Sequence, residues 1–308
     1  MLKLVYTKNK LVVGLMGLLY LNIFQLLYFK IVQPVYFKIK ILKQSAPFIS
    51  PLTYICNKSL FSSVFSERLK YAIIEPVYRK GDKLLTTNYR SISLLTSFSK
   101  ISEKLIYSRL YKHMCTNNIL AKEQYGFRIN SSTEAASYDV MNDILKAMNN
   151  RLSIGGIFCD HKKAFDCVNH DILVDKRQFY GIMGKFLALI QSYLRRQNQK
   201  ILTENFNAYD DVSSGWRKIT TGVPQGLFLG PLLFLVYIKD LPMATDSDTK
   251  VVLFAYDTSI IITSPNQERL QTALNKTLSD VNLWFKANFL SLNFNKTYYL
   301  QTYFNYQL

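Results

Sequence analysis

Acidic residues are scarce in this chain, and their scarcity is uneven. Its 308 residues carry 21 Asp+Glu against 38 Lys+Arg, and the first fifty hold seven Lys and no acid. The resulting net charge of +17 suits a polyanionic partner, although such a balance describes non-specific attraction and not fold. A shortage of carboxylates does not exclude metal chemistry, which needs only two or three of them in the right place. Cysteine is also sparse: Cys56, Cys115, Cys159 and Cys167 are unpatterned in a long chain. That excludes a disulfide-stapled scaffold and points to reduced thiols in an intracellular setting. Histidine numbers three. Cys159, His161, Cys167 and His170 could be written as a zinc set, but Cys159 and His161 flank Asp160 on one expected strand, along which side chains alternate in direction. Buried thiols and surface imidazoles are the better reading. With 49% hydrophobic and 19% charged residues, extensive disorder is not expected.

One stretch organises the rest. Val251–Thr263, VVLFAYDTSIIIT, sets two apolar runs on either side of a short polar step, the pattern of a buried hairpin with a tight turn. Asp257 would sit at its tip, either as an Asx-type turn residue or facing a ligand. Earlier, Ser153–Asp166 reads as an apolar strand ending at Asp160, then a basic turn. Between them Thr221–Pro231 holds three Gly and two Pro in eleven residues, a loop that lets backbone come close to something. Carboxylates at the ends of two neighbouring strands are what two-metal phosphoryl transfer requires, because the ions stabilise both the attacking and the leaving oxygen.

Seven segments, in this order, resemble the reverse transcriptase domain of non-LTR (LINE-type) retrotransposons: VYRKGDK (77–83), NYRSISLL (88–95), QYGFR (124–128), GIFCDHKKAFDCVNHDIL (156–173), GVPQG with LGPLLF (222–234), LFAYDTS (253–259) and WFKANFLSLNFNKT (284–297). The resemblance implies an α+β fold: right-hand polymerase fingers (about 42–150) and palm (about 151–300) with an antiparallel palm sheet, and a thumb largely missing. It implies RNA-directed DNA synthesis on an RNA template with a DNA primer and deoxynucleoside triphosphates. Two Mg²⁺ ions would be held by Asp160 and Asp257, and the setting would be the nucleus or cytoplasm. Lys80 and Arg90 would grip the triphosphate, where a guanidinium fork binds phosphate oxygens in pairs. Phe165 would lie beneath the sugar and select against a 2′-hydroxyl, Gln225 would lie near nucleotide and template, and Lys296 would serve as general acid beside the leaving pyrophosphate. Asp166 would cap the following segment.

The sequence departs from the family at its centre. Where the family has two adjacent aspartates, this chain has Tyr256 and then Asp257. A phenol stays neutral near pH 7, with a reference pKa of about 10, and is a poor ligand for an ion that prefers carboxylate and water oxygens in tight octahedral geometry. Tyr256 at an expected metal-ligand position is therefore expected to impair catalysis. Other departures are His161 beside the first aspartate, Ser91 for a proline and Leu227 for a small hydroxyl residue.

Residues 1–41 lie outside the resemblance. Leu11–Phe29 is a nineteen-residue apolar run with Asn22 and Gln25 as its polar interruptions, close to the roughly twenty residues a spanning helix needs. It is a candidate membrane helix or sequence foreign to the family. No clear cleavage site follows it, and nothing points to an oligomer.

Local signals place the remaining elements. Residues 45–60 are expected as short helices around Pro51, and Tyr71–Tyr78 as a strand. Ser99–Cys115 is expected as a helix capped by Ser99, with Ile101, Leu105, Ile106, Leu110 and Met114 inward. Ser131–Glu134 fits a capping box opening a helix with Ala136, Val140, Ile144, Leu145 and Met148 on its inner face. Phe186–Leu194 is expected as a helix, and Lys200–Thr203 with Arg217–Thr221 as paired strands. Ser264 followed by Pro265 marks a last helix start, with Leu270, Leu274, Leu278, Val281 and Phe285 inward.

Overall fold

The computed structural model describes residues 46–203, 212–226 and 228–302. The apolar run 11–29 and the Leu227 substitution lie outside them. Among the described residues no helix is long and apolar enough to cross a membrane. The chain divides into two compact units that interleave in sequence. One gathers Leu120–Ala164 with 238–302, and the other 46–119 with Phe165–Tyr237.

The first unit is built on a four-stranded antiparallel sheet in the order β7-β8-β3-β9, with β3 Ser153–Cys159, β7 Lys250–Phe254, β8 Asp257–Ser264 and β9 Tyr298–Thr302. The first three are rich in Val and Ile or in small residues, and every β3 residue except Phe158 is buried, as a strand covered on both faces requires. Helix α3, Thr133–Asn149, and helix α7, Gln267–Ala287, pack on this sheet. Gly155 makes the approach of α7 possible, since a Cβ there would stand 2.8 Å from Leu274 Cδ1. The apolar cluster under α3 joins Ala136, Val140 and Ala147 to Ile154, Val252, Phe254, Ala255 and Ile261.

The second unit has a five-stranded sheet in which β1 (Tyr71–Tyr78) pairs antiparallel with β2 (Tyr89–Leu94) and parallel with β4 (Gln197–Thr203). β5 (Val212–Ser213) and β6 (Arg217–Ile219) both pair with β4. Its helices are α1 (Ala46–Ser62), α2 (Ser97–Thr116), α4 (His170–Phe179), α5 (Gly184–Leu194) and α6 (Leu229–Tyr237). Every residue of α6 is buried, which its unbroken apolar sequence dictates, and α2 and α4 pack around it.

The expected α+β class with an antiparallel sheet, that of the first unit, holds, and several local expectations shift. Residues 46–62 form one helix containing Pro51, not short helices around it. Helix α2 starts two residues early because Thr96 Oγ1 accepts from Ser99 N, and its buried face carries Glu103. Ser132, not Ser131, caps α3 by accepting from Ala135 N at 3.2 Å. Ala147 turns inward there, leaving Leu145 and Met148 exposed. Helix α7 is capped by Asn266, whose Oδ1 accepts from Glu268 N and Arg269 N, because Ser264 is consumed as the last residue of β8. Thr277 takes the inward place expected of Leu278. β6 pairs with Gln197–Gln199 rather than with Lys200–Thr203.

Candidate functional site

In the first unit the antiparallel register of β3 on β8 runs from Ser153↔Ser264 to Cys159↔Thr258. Asp160 follows the last paired residue of β3, and Asp257 precedes the last paired residue of β8. Asp257 also closes the β7–β8 loop by pairing with Phe254 across Ala255-Tyr256. Ala255 takes φ +56°, the positive first position of a mirror-image two-residue turn.

That strained tip is held from outside. Gln124 Oε1 accepts from Ala255 N at 2.9 Å and from Gly126 N at 2.7 Å, and Gln124 Nε2 donates to Ala255 O at 3.3 Å. Backbone bonds Tyr125 N to Leu253 O and Leu253 N to Glu123 O, both 2.8 Å, stitch the same segment to β7. Gly126 is required there, because a Cβ would meet Ala255 N at 2.1 Å. The QYGFR block is thus a clamp on the hairpin, a role its sequence does not announce.

Asp160 is gripped by the segment after α7. Its backbone carbonyl accepts from Asn293 N at 2.8 Å, and its Oδ2 accepts from Asn293 Nδ2 at 2.9 Å. Lys296 Nζ stands 3.3 Å from the same Oδ2. The structure therefore brings Asp160 and Lys296 together and adds Asn293, legible only as part of the LNFNKT block. Tyr256 is half-buried and packs against the apolar cluster under α3.

His161 is buried, with its ring edge-on to Phe285 at 4.5 Å and Nε2 3.4 Å from Thr258 Oγ1. Burial pushes its pKa down to about 3, so the imidazole is neutral. Burial likewise pushes the Cys159 thiol up to about 12. Among the described residues no three His, Cys, Asp or Glu side chains stand together as a metal set.

The remaining expected site residues lie in the second unit. Lys80 is exposed at the turn joining β1 to β2, and Arg90 lies on β2 opposite Val77. Phe165 is buried against Phe234, ring centroids 5.0 Å apart. The Gly-Pro loop folds onto the Phe165 segment: Val223 N donates to Phe165 O at 2.8 Å and Gly222 N to Val168 O at 2.7 Å. Gly222 takes φ +86°, and its carbonyl meets His170 Nε2 at 2.7 Å. Gln225 Nε2 donates to Asp166 Oδ1 at 3.1 Å. Asp166 is no helix cap, because Asn169 Oδ1 accepts from Asp171 N and Ile172 N at the start of α4.

An antiparallel sheet with two helices packed on it, in which Asp160 follows β3 and Asp257 opens the neighbouring β8, has the architecture of a polymerase palm, and comparison with solved structures agrees on the fold. A structure of apo telomerase from Candida tropicalis, truncated from its C-terminal domain, superposes with a TM-score of 0.51 at 15% identity, over 79% of this chain and 52% of that one. The telomerase of the same organism in complex with a fragment of telomeric RNA gives a TM-score of 0.50 at 17% identity, over 77% of this chain and 42% of that one.

Residues 78–306 match the family described as reverse transcriptase (RNA-dependent DNA polymerase), and the chain belongs to that family. A probable RNA-directed DNA polymerase from transposon BS of Drosophila melanogaster is 31% identical over 80% of this chain, and the RNA-directed DNA polymerase from mobile element jockey of the same fly is 30% identical over 76%. The chain spans about a quarter of these relatives, 27% and 25% of their lengths. The retrotransposon resemblance drawn from the seven segments is borne out.

The family generally uses Mg²⁺, but the donors present do not fit a pair of such ions. The position before Asp257 offers a phenol seated on an apolar cluster, and one oxygen of Asp160 already receives an amide and an ammonium. A hard cation demanding octahedral oxygen geometry would meet both of these donors at that oxygen.

Proposed function

We propose that this chain is the fingers and palm (about 42–150 and 151–300) of a retrotransposon RNA-directed DNA polymerase whose nucleotidyl transfer is impaired, and which retains affinity for nucleic acid. The reaction the fold serves is attack of a primer 3′-hydroxyl on the α-phosphate of a deoxynucleoside triphosphate, with release of pyrophosphate. In an intact site a pair of Mg²⁺ ions would supply the activation of that hydroxyl and neutralise the leaving group. Asp160 and Asp257 are the carboxylates assigned to that work. Lys80, Arg90, Phe165 and Gln225 are assigned to the incoming nucleotide, and Lys296 to the leaving pyrophosphate.

The observation that carries the impairment is Tyr256 at the hairpin tip, turned onto apolar side chains beside Asp257. Its neutral phenol contributes neither the charge nor the compact oxygen of a carboxylate. Attraction to template and primer survives the lesion, because it comes from the net charge of +17 and not from two carboxylates.

Primer extension on an RNA template with the full chain and Tyr256→Asp tests this reading. The wild-type chain is expected to incorporate at least a hundred-fold less than the revertant, while both retain the primer–template in a gel-shift assay that weakens with salt. Equal extension by the two chains overturns the impairment. Failure of both to hold primer–template at low salt overturns the polymerase reading.

A further inference from the structure

We propose that Asn293 and Lys296 answer the charge of Asp160 from within the chain, Asn293 as the positioning residue and Lys296 as the counter-ion, so that no divalent ion is taken up at Asp160. The inference rests on the reading of Asp160 as a palm carboxylate. It goes beyond that reading by naming what stands in the place of the cation.

Asn293 ties together Asp160, Lys296 and Thr297 through its backbone and its side-chain amide nitrogen. Its N–H donates to the Asp160 carbonyl at 2.8 Å and its Nδ2 to Asp160 Oδ2 at 2.9 Å. Its own carbonyl accepts from Lys296 N at 2.8 Å and from Thr297 Oγ1 at 3.0 Å. The flanking backbone is fixed too: Lys162 N donates to Ser291 O at 3.0 Å, and His161 and Leu292 form a bridge. Buried Leu290 and Leu292 anchor the segment. A short 3-10 turn, Phe294–Lys296, then returns the Lys296 side chain to Asp160.

The arrangement competes with a divalent ion in two ways. A carboxylate oxygen has about two lone-pair directions, and on Asp160 Oδ2 both are taken, by Asn293 Nδ2 and by Lys296 Nζ. The ammonium 3.3 Å from that oxygen also repels any cation approaching the same carboxylate. An exposed ion pair alone is worth little, since its side chains lose entropy to stay together, and Lys296 is half exposed. Here that cost is lowered, because the backbones of both partners are hydrogen-bonded to Asn293 before the side chains meet. With a carboxylate at 256 two negative charges would draw an ion strongly enough to displace the lysine. With a phenol there, the lysine prevails.

The test reads Mn²⁺ binding to the full chain by the loss of the free-ion electron paramagnetic resonance signal, without substrate, with far-UV circular dichroism to confirm folding. The wild-type chain is expected to take up no Mn²⁺ below about 1 mM, where a Mg²⁺-type site of two carboxylates would already fill. Lys296→Met should tighten binding at least ten-fold, in a manner abolished by adding Asp160→Asn, whereas Lys296→Arg, which keeps the cation, should bind as the wild type does. Adding Asn293→Ala to Lys296→Met should give back most of that gain, because an unfixed carboxylate is a poorer ligand. Two results overturn the proposal: Lys296→Met binding no tighter than wild type, or wild type binding at a site that Asp160→Asn removes. Both are read without primer extension, so this inference and the polymerase reading fail separately. Should Asn293→Ala not fold, the Lys296 variants still decide.

Discussion

Gln124 holds Ala255 by both of its backbone polar groups, its Oε1 accepting from Ala255 N at 2.9 Å and its Nε2 donating to Ala255 O at 3.3 Å. The side chain that does this is buried, and the residue it holds has φ +56°, a conformation that costs a non-glycine residue free energy. The carboxylate of Asp257 is placed by this clamp as much as by the sheet.

Gln124→Ala should therefore destabilise the first unit by about 2–4 kcal/mol, the cost of leaving the buried N–H groups of Ala255 and Gly126 without acceptors. Gly126→Ala should cost about 3 kcal/mol or more, since its Cβ would press on backbone, which cannot turn aside as a side chain can. Urea denaturation followed by Trp284 fluorescence, in a Trp216→Phe background, measures both; a loss under 1 kcal/mol in either variant would show that the clamp does not hold the hairpin.

Much of this was legible in the sequence, and the reasons differ by element. The hairpin and β3 announce themselves because β-branched runs broken by a polar pair have few other uses, and Tyr71–Tyr78 is a strand with the bounds its alternation predicts. The observed cap lies one to three residues from the expected one wherever two capping residues stand close together, as at Ser131 and Ser132, because only geometry decides which oxygen reaches the open N–H. The inward faces of α3 and α7 were misassigned in part because small Ala147 and Thr277 fit against the sheet where larger Met148 and Leu278 do not. Gln124 and Asn293 could not be assigned roles from spacing, since each acts on a residue more than a hundred positions away.

Arg177 was also invisible in the sequence, where it reads as the basic end of α4. It is fully buried, and Nε, Nη1 and Nη2 have no hydrogen-bond partner among the described residues. Burial pulls its pKa down to about 9. An unpaired guanidinium in a core is expensive, so Arg177→Met, which keeps most of the stem and removes the charge, should stabilise the second unit by about 1–4 kcal/mol. Trp216 fluorescence in a Trp284→Phe background checks it: an unchanged or lowered urea midpoint would mean that the guanidinium is satisfied.

Glu103 and His161 predict opposite pH responses, and each lies in a different unit. Glu103 is fully buried, and its Oε1 accepts from Tyr193 Oη at 2.7 Å. Burial raises its pKa from 4.5 to about 7, so between those values the folded state holds a proton that the unfolded state releases. Its stabilisation is complete below about pH 4.5 and is lost as pH rises through 7. His161 has the reverse sign. Its folded pKa is lowered from 6.5 to about 3, so the unfolded state takes a proton that the folded state refuses, and stability is lost as pH falls from 6.5 toward 3.

Over pH 4.5–6.5, where both shifts act, acidification should therefore stabilise the second unit and destabilise the first, each by up to about 1.4 kcal/mol per pH unit. The chain's two tryptophans separate the effects, since Trp284 lies in the first unit and Trp216 in the second. Urea midpoints read from single-tryptophan chains at pH 4.5, 5.5 and 6.5 should diverge. Glu103→Gln should flatten the slope reported by Trp216 alone, and His161→Leu the slope reported by Trp284 alone. Parallel slopes from the two probes would show that the units unfold together, and slopes untouched by the substitutions would assign the titration to other groups.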